Sequence, residues 1–149
     1  MPTTNKPTAL AQYPIVIELP IQWSDLDAYG HVNNLAYLKW FEAARAVYAM
    51  KVGVAVTPDP NGYGAALADV ECRFLRQANY PAVVFVGVRI SRMTIGSVTI
   101  EFKIVDSGTG VALAEGGSNA VIYDNAAGKP TPIPDRIRNA VEELEGRHF

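Results

Sequence analysis

The run NLAYLKWFEAARAVYAMKV, residues 34–52, limits what this chain can become. It holds neither proline nor glycine, and Gly53 follows it directly, so it reads as one uninterrupted helix with a stop signal at its end. Wound at helical spacing, Lys39, Glu42 and Arg45 share a narrow polar arc, whereas Leu35, Leu38, Trp40, Phe41, Ala44, Val47 and Tyr48 cover most of the remainder. A helix apolar around so much of its circumference is buried, not laid on a surface. The rest of a 149-residue chain, long enough for one substantial core and too short for two ordinary domains, must therefore wrap it.

Period-two segments supply the wrapping. Residues 13–23, YPIVIELPIQW, set Tyr13, Ile15, Ile17, Leu19, Ile21 and Trp23 on one face. Pro14 and Pro20 cannot donate ladder hydrogen bonds, which places this strand at a sheet edge or on a bulge. Further strands are predicted at about 64–76, 82–93, 97–106 and 111–123, separated by the turn signals QANYP, TIGS and DSGTG. In the third of these, Val98, Ile100, Phe102 and Ile104 alternate with Thr99, Glu101 and Lys103, giving one buried face and one wet one. In IPDRIRNAVEEL, Pro134 opens a helix that carries Ile137, Ala140, Val141 and Leu144 at i, i+3, i+4 and i+7. The pattern is α+β: strand, buried helix, four antiparallel strands, terminal amphipathic helix. Residues 1–12 are expected to form a flexible segment ahead of a single domain over 13–149, and TPDPNGYG at 57–64 is the most flexible interior segment.

Charge and composition exclude several classes of function. Thirteen basic side chains against 15 acidic ones, with no block of like charge, argue against a nucleic-acid surface or a polybasic membrane patch. The start, MPTTNKPTALAQ, has no basic leader with an apolar core, and no run is apolar for long enough to span a bilayer, so a cytoplasmic protein is expected. Cys72 is the only cysteine, consistent with a reducing compartment, and its alternating apolar surroundings favour a packing role.

Chemistry concentrates just before the buried helix, in WSDLDAYGHVNN at 23–34. Asp25, Asp27 and Gly30 imitate the start of a calcium loop, but Tyr29 occupies its fifth position and Ala36 stands where a bidentate glutamate is needed. A zinc site would need more ligands than His31 and the distant His148. No GxSxG elbow, dinucleotide fingerprint or P-loop occurs. What remains is a carboxylate working beside a helix N-terminus. Amides of the first helical turn lack intrahelical partners and carry partial positive charge, so they can hold an oxyanion formed in a transition state. With the helix starting at Asn33 or Asn34, Asp27 lies one short loop away, a workable arrangement for opening a thioester.

The same residues carry a resemblance. DLDAYGHVNNLAYLKWFEAAR is similar to the 4-hydroxybenzoyl-CoA thioesterase family of the hotdog fold, in its Asp-x-Asp, its glycine, His-Val-Asn-Asn, an aromatic three residues later and Glu-x-x-Arg on the helix. PIPDRIR looks like the family's usual C-terminal segment. The resemblance implies an antiparallel five-stranded sheet wrapped around a long central helix, with a C-terminal helix behind. It also implies homodimers or homotetramers with the site at the subunit interface, and hydrolysis of acyl-CoA thioesters without metal or other cofactor. By position it makes Asp27 the catalytic carboxylate, as nucleophile or as general base, and Asn34 the residue whose amide polarises the carbonyl. His31 would join them, and Tyr37 would line the acyl or pantetheine channel.

Other positions are less closely tied to the motif. Asp25 reads as a turn or cap residue. Glu42 matches the catalytic glutamate of a sister hotdog group, although Lys39 and Arg45, three residues to either side, also fit it as an ion-pair partner. For the CoA phosphates Arg89 and Arg92 are the candidates, with Gly96 and Ser97 approaching the pantetheine arm and Arg73 and Arg76 behind them. The chain departs from the family after its second strand, where LRQANYPAV replaces the frequent proline and Gly-Asp pair. Two other uses of the same fold are a non-catalytic acyl-CoA or acyl-carrier-protein binding module and a dehydratase, the latter disfavoured by the absence of a histidine from the central helix.

Overall fold

A computed structural model describes residues 6–149. Its central element is α1 (Asn34–Val52), N-capped by Asn33, whose side-chain oxygen accepts the Leu35 amide, and closed by Gly53 in the left-handed conformation at φ 83°. The expected helix is thus observed, with its N-cap and its stop signal both in use. Trp40, Phe41, Ala44 and Tyr48 are buried along it, and Phe41 stacks on Phe102 at a ring separation of 4.3 Å.

Five antiparallel strands, β1 (Ile15–Pro20), β2 (Tyr63–Phe74), β3 (Val83–Met93), β4 (Ser97–Asp106) and β5 (Ala112–Asp124), curl around α1 in the order β1-β3-β4-β5-β2. A two-residue strand, β6 (Lys129–Pro130), pairs with the end of β5. It carries no alternation, which is why periodicity overlooks it. Val98, Ile100, Phe102 and Ile104 of β4 face the helix and are buried. The prolines place β1 correctly: it is an edge strand, paired with β3 alone.

Two details of β1 depart from simple alternation. Ile15, Val16 and Ile17 are all buried, because the outer side of the strand is covered too, by a second cluster of Leu10, Tyr13 and Val105. The segment expected to be flexible is therefore ordered in its described part: Thr8–Leu10 form a single 3-10 turn, and Leu10 is fully buried. That turn rests on bare backbone, since a Cβ at Gly87 would lie 2.9 Å from both Leu10 Cδ2 and Tyr13 Cγ. Residues 1–5 lie outside the described residues. Trp23 leaves the expected buried face and is 76% exposed, because β1 ends at Pro20 and a 3-10 turn at Trp23–Asp25 breaks the period.

The C-terminal helix, α2 (Asp135–Glu145), buries Ile137 and Val141 as its spacing requires. Its last residue does something the spacing does not reveal. Glu145 Oε2 accepts the Tyr48 hydroxyl at 2.6 Å and the Ile90 amide at 2.9 Å. β1 accompanies β3 only as far as Val88, so the Ile90 amide has no strand partner on that side and a carboxylate takes the place of one. Arg147 continues the substitution by donating to the Ser91 carbonyl at 2.6 Å. Burial first, then the Glu145 bond, pushes the Tyr48 hydroxyl far above its ordinary pKa.

The β2–β5 pairing tolerates no side chain at Gly116, where a Cβ would sit 2.0 Å from the Glu71 carbonyl oxygen. Gly116→Ala is expected to cost about 3 kcal/mol of unfolding free energy, because the obstructing atom is backbone and cannot rotate away. Denaturant unfolding monitored by tryptophan fluorescence measures it, and a loss under about 1 kcal/mol would show that the strands shift apart freely.

Candidate active site

The segment between β1 and α1 is a miniature hairpin. Its rungs are the Asn33 amide donating to the Asp25 carbonyl at 2.8 Å, the Leu26–Val32 bridge, and the Asp27 amide donating to the His31 carbonyl at 2.7 Å. At the tip, Gly30 takes φ 76°, a conformation a β-substituted residue resists. Asp27 closes the tip with its side chain: Oδ1 accepts the Tyr29 amide at 2.9 Å and the His31 amide at 3.1 Å. Among the described residues the other oxygen, Oδ2, accepts no hydrogen bond. One carboxylate oxygen is thus fixed and the other unengaged.

The head of α1 sits beside this hairpin. Asn33 engages the Leu35 amide with its side chain and the Ala36 amide with its carbonyl, which leaves Asn34's own amide as a first-turn donor with no hydrogen-bond partner among the described residues. His31 is exposed on the hairpin. Tyr37 is placed differently from a simple channel wall. It is 3% exposed, packs edge-on against Trp40 and Phe74 at 5.0 and 5.2 Å, and its hydroxyl accepts the Ala78 amide at 3.3 Å. It thereby ties the LRQANYPAV segment to the helix head. Cys72 is half-buried, and burial raises its thiol pKa, in keeping with a packing role.

Asp25, read as a turn or cap residue, and Glu42, the alternative catalytic candidate, are both engaged. Asp25 is buried, and its two oxygens accept the Gln22 amide at 2.8 Å and the Lys39 ammonium. Glu42 is held by Arg45, whose Nε and Nη2 donate to it at 3.0 and 2.7 Å. The sequence pattern offers Lys39 to Glu42. The structure gives it to Asp25, fourteen positions away, a distance no local periodicity reports. Phe74, brought from β2, is likewise invisible to local spacing.

The positions expected to hold coenzyme A lie elsewhere. Pro20 opposite Val83 and Phe74 opposite Ala114 mark the end of the sheet that carries Asp27, whereas Met93 opposite Val98 and Ser97 opposite Val121 mark the other end. The length of β3 separates the two by roughly 30 Å. Gly96 and Ser97 form the β3–β4 turn, where the Ser97 amide donates to Thr94 Oγ1 at 3.0 Å and the Gly96 carbonyl accepts the Ile122 amide at 3.1 Å. Arg89 is committed on the convex face: Nε donates to Glu101 at 2.8 Å, Nη1 to Gln12 at 3.0 Å, and the guanidinium lies over the Tyr13 ring. Arg92 is exposed and, among the described residues, has no ion-pair partner.

The relatives agree on what such a hairpin and helix belong to. The model of the thioesterase-like superfamily matches residues 21–141, most of the chain and all of the hairpin, α1 and the sheet from β2 onward. The chain belongs to the thioesterase-like superfamily. A thioesterase from Thermus thermophilus, solved in complex with coenzyme A and zinc, superposes with a TM-score of 0.80 at 29% identity, over 93% of this chain and 99% of that one. A thioesterase-superfamily protein from a Jannaschia species gives 0.83 at 26% identity, covering 92% and 86%. The chain is also 25% identical over 134 residues to the chloroplastic acyl-acyl carrier protein thioesterase ATL2 of Arabidopsis thaliana, covering 89% of this chain and 71% of that protein.

This thioesterase has the hotdog architecture, and its class of chemistry is thioester hydrolysis. No helix among its described residues is long and apolar enough to cross a membrane. The two arginines are separable by experiment. Arg92→Ala is expected to raise KM for a CoA thioester several-fold with kcat nearly unchanged, an effect that shrinks as salt rises, whereas Arg89→Ala, already engaged by Glu101 and Gln12, should alter KM less. Equal effects would remove the distinction between the two arginines, and a larger effect at Arg89 would reverse it.

Proposed function

We propose that this thioesterase hydrolyses an acyl-CoA to the free acid and CoA, with Asp27 as its catalytic carboxylate. The observation that carries the reading is the division of labour at the hairpin tip: Oδ1 of Asp27 is held by two amides, while Oδ2 stands free beside a helix head whose Asn34 amide is unclaimed. A thioester carbonyl lying between them would direct its oxygen at that amide, which stabilises the charge gathering there as the tetrahedral species forms. Oδ2 either attacks the carbonyl carbon, releasing CoA thiolate and leaving an anhydride that water opens, or removes a proton from the water that attacks. Both routes consume one water and return one acid and one thiol. The coenzyme A bound to the Thermus thermophilus relative supports CoA as the carrier.

The reading requires two copies of the chain. β2 is a long edge strand whose Val70 and Phe74, with Leu75 just beyond its end, are between 42 and 47% exposed, an arrangement that proteins usually cover. An antiparallel pairing of β2 with its own copy would reverse one chain relative to the other. It would carry the partner's β3–β4 turn, with Arg92, Gly96 and Ser97, toward the Asp27 end of this chain. The missing half of the site is then supplied across a twofold axis.

Thiol release from short, medium, long, branched and aromatic acyl-CoAs tests the function. Turnover of any of them, with its loss in Asp27→Ala and its retention in Glu42→Ala, is the expected result. Stabilisation by acyl-CoA without turnover would make the protein a binding module instead.

A further inference from the structure

The proposed reaction makes no use of the one carboxylate that is buried near it. Asp25 is 4% exposed, yet carries a charge that burial opposes. Its turn does not need that charge: the bond from the Gln22 amide at 2.8 Å could be accepted by the neutral oxygen of an asparagine. Only Lys39 makes use of it. Lys39 reaches from the second turn of α1, leaving most of its own length in solvent, to pair with Asp25 Oδ1.

Three bonds converge on that residue, each from a different piece of the site. Gln22 belongs to the turn after β1, Asn33 is the N-cap of α1 and donates to the Asp25 carbonyl, and Lys39 lies further along the helix. Asp27 follows two residues later on the same hairpin arm. A hairpin hinged only at its base could rock against the helix head, and the Asp25–Lys39 pair ties it at a second point on the helix axis. Such rocking would change the gap between Asp27 and the Asn34 amide, the distance on which attack depends.

We propose that Lys39 and Asp25 are positioning residues that fix the catalytic hairpin against the head of α1. This rests on the reading of Asp27 as the catalytic group. Neither touches substrate, so their loss should appear in kcat and leave KM close to its original value.

The test compares Lys39→Met, Lys39→Arg and the double variant Asp25→Asn/Lys39→Met with wild type and Asp27→Asn. It uses the acyl-CoA that wild type turns over fastest, and thermal unfolding of each protein is recorded alongside. Lys39→Met should unfold at lower temperature and lose kcat by about 10- to 100-fold, with Lys39→Arg restoring most of it. The double variant decides the matter, since it leaves no unpaired buried charge and should regain stability. If its kcat stays low although its unfolding temperature recovers, the pair positions the hairpin. If activity returns together with stability, the pair is only structural and the proposal is overturned. An Asp27→Asn enzyme as active as wild type would instead remove the catalytic reading itself, and with it anything for Lys39 to position.

Discussion

Replacing Asp27 with asparagine should lower kcat by about 10²- to 10⁴-fold, in the range of a lost general base or more, while the protein folds as before. The substitution isolates chemistry from architecture. Asn keeps an oxygen where Oδ1 accepts the Tyr29 and His31 amides, so the hairpin tip retains both its bonds. What disappears is the charge and basicity of the free oxygen. An enzyme that falls as steeply for Asp27→Asn as for Asp27→Ala, with an unchanged unfolding temperature, depends on the carboxylate as a carboxylate. Near-normal turnover by the asparagine variant would move the reaction elsewhere, and Glu42 would be the first residue to re-examine.

A second large effect is expected far from the carboxylate. Val70 is 42% exposed on β2, so an aspartate there stays hydrated in an isolated chain but would be buried between paired β2 strands. Val70→Asp should therefore leave circular dichroism and the hairpin intact, shift sedimentation from dimer to monomer, and remove at least about nine-tenths of the activity through separation of the two halves of the site. A monomeric variant with full turnover would show that one chain suffices, and the roughly 30 Å length of β3 between the two ends of the sheet would need another explanation.

The order of elements is legible because each rests on a local repeat. Lys39, Glu42 and Arg45 on one arc declare the buried helix, and alternation in 97–106 declares its strand. The motif residues 25–34 are legible for another reason: their chemistry is packed into consecutive positions. What local pattern does not show is the partner of each group. Lys39 bonds Asp25 rather than its helical neighbour Glu42, Tyr37 meets Phe74 and Ala78 from a strand and loop distant in sequence, and Arg89 is claimed by Gln12 and Glu101. Leu10 escapes a local reading on the same ground, because the surface that buries it is the outside of a sheet still to be formed. Contacts of long sequence separation follow from topology, which a single helix or strand period does not encode.

The clasp of Glu145 and Arg147 on β3 acquires a different meaning beside the open β2. A sheet with several bare edges can stack indefinitely, and a protein of this shape would then risk fibres. Here β1 is short and ends in Pro20, and the overhang of β3 at Ile90 and Ser91 is stoppered by the acid and the guanidinium of the C-terminal segment. That leaves one long adhesive border. In the proposed pairing, a chain with a single such border, joined to its copy about a twofold axis, would consume it in the joining, so association would end at a closed pair rather than propagate.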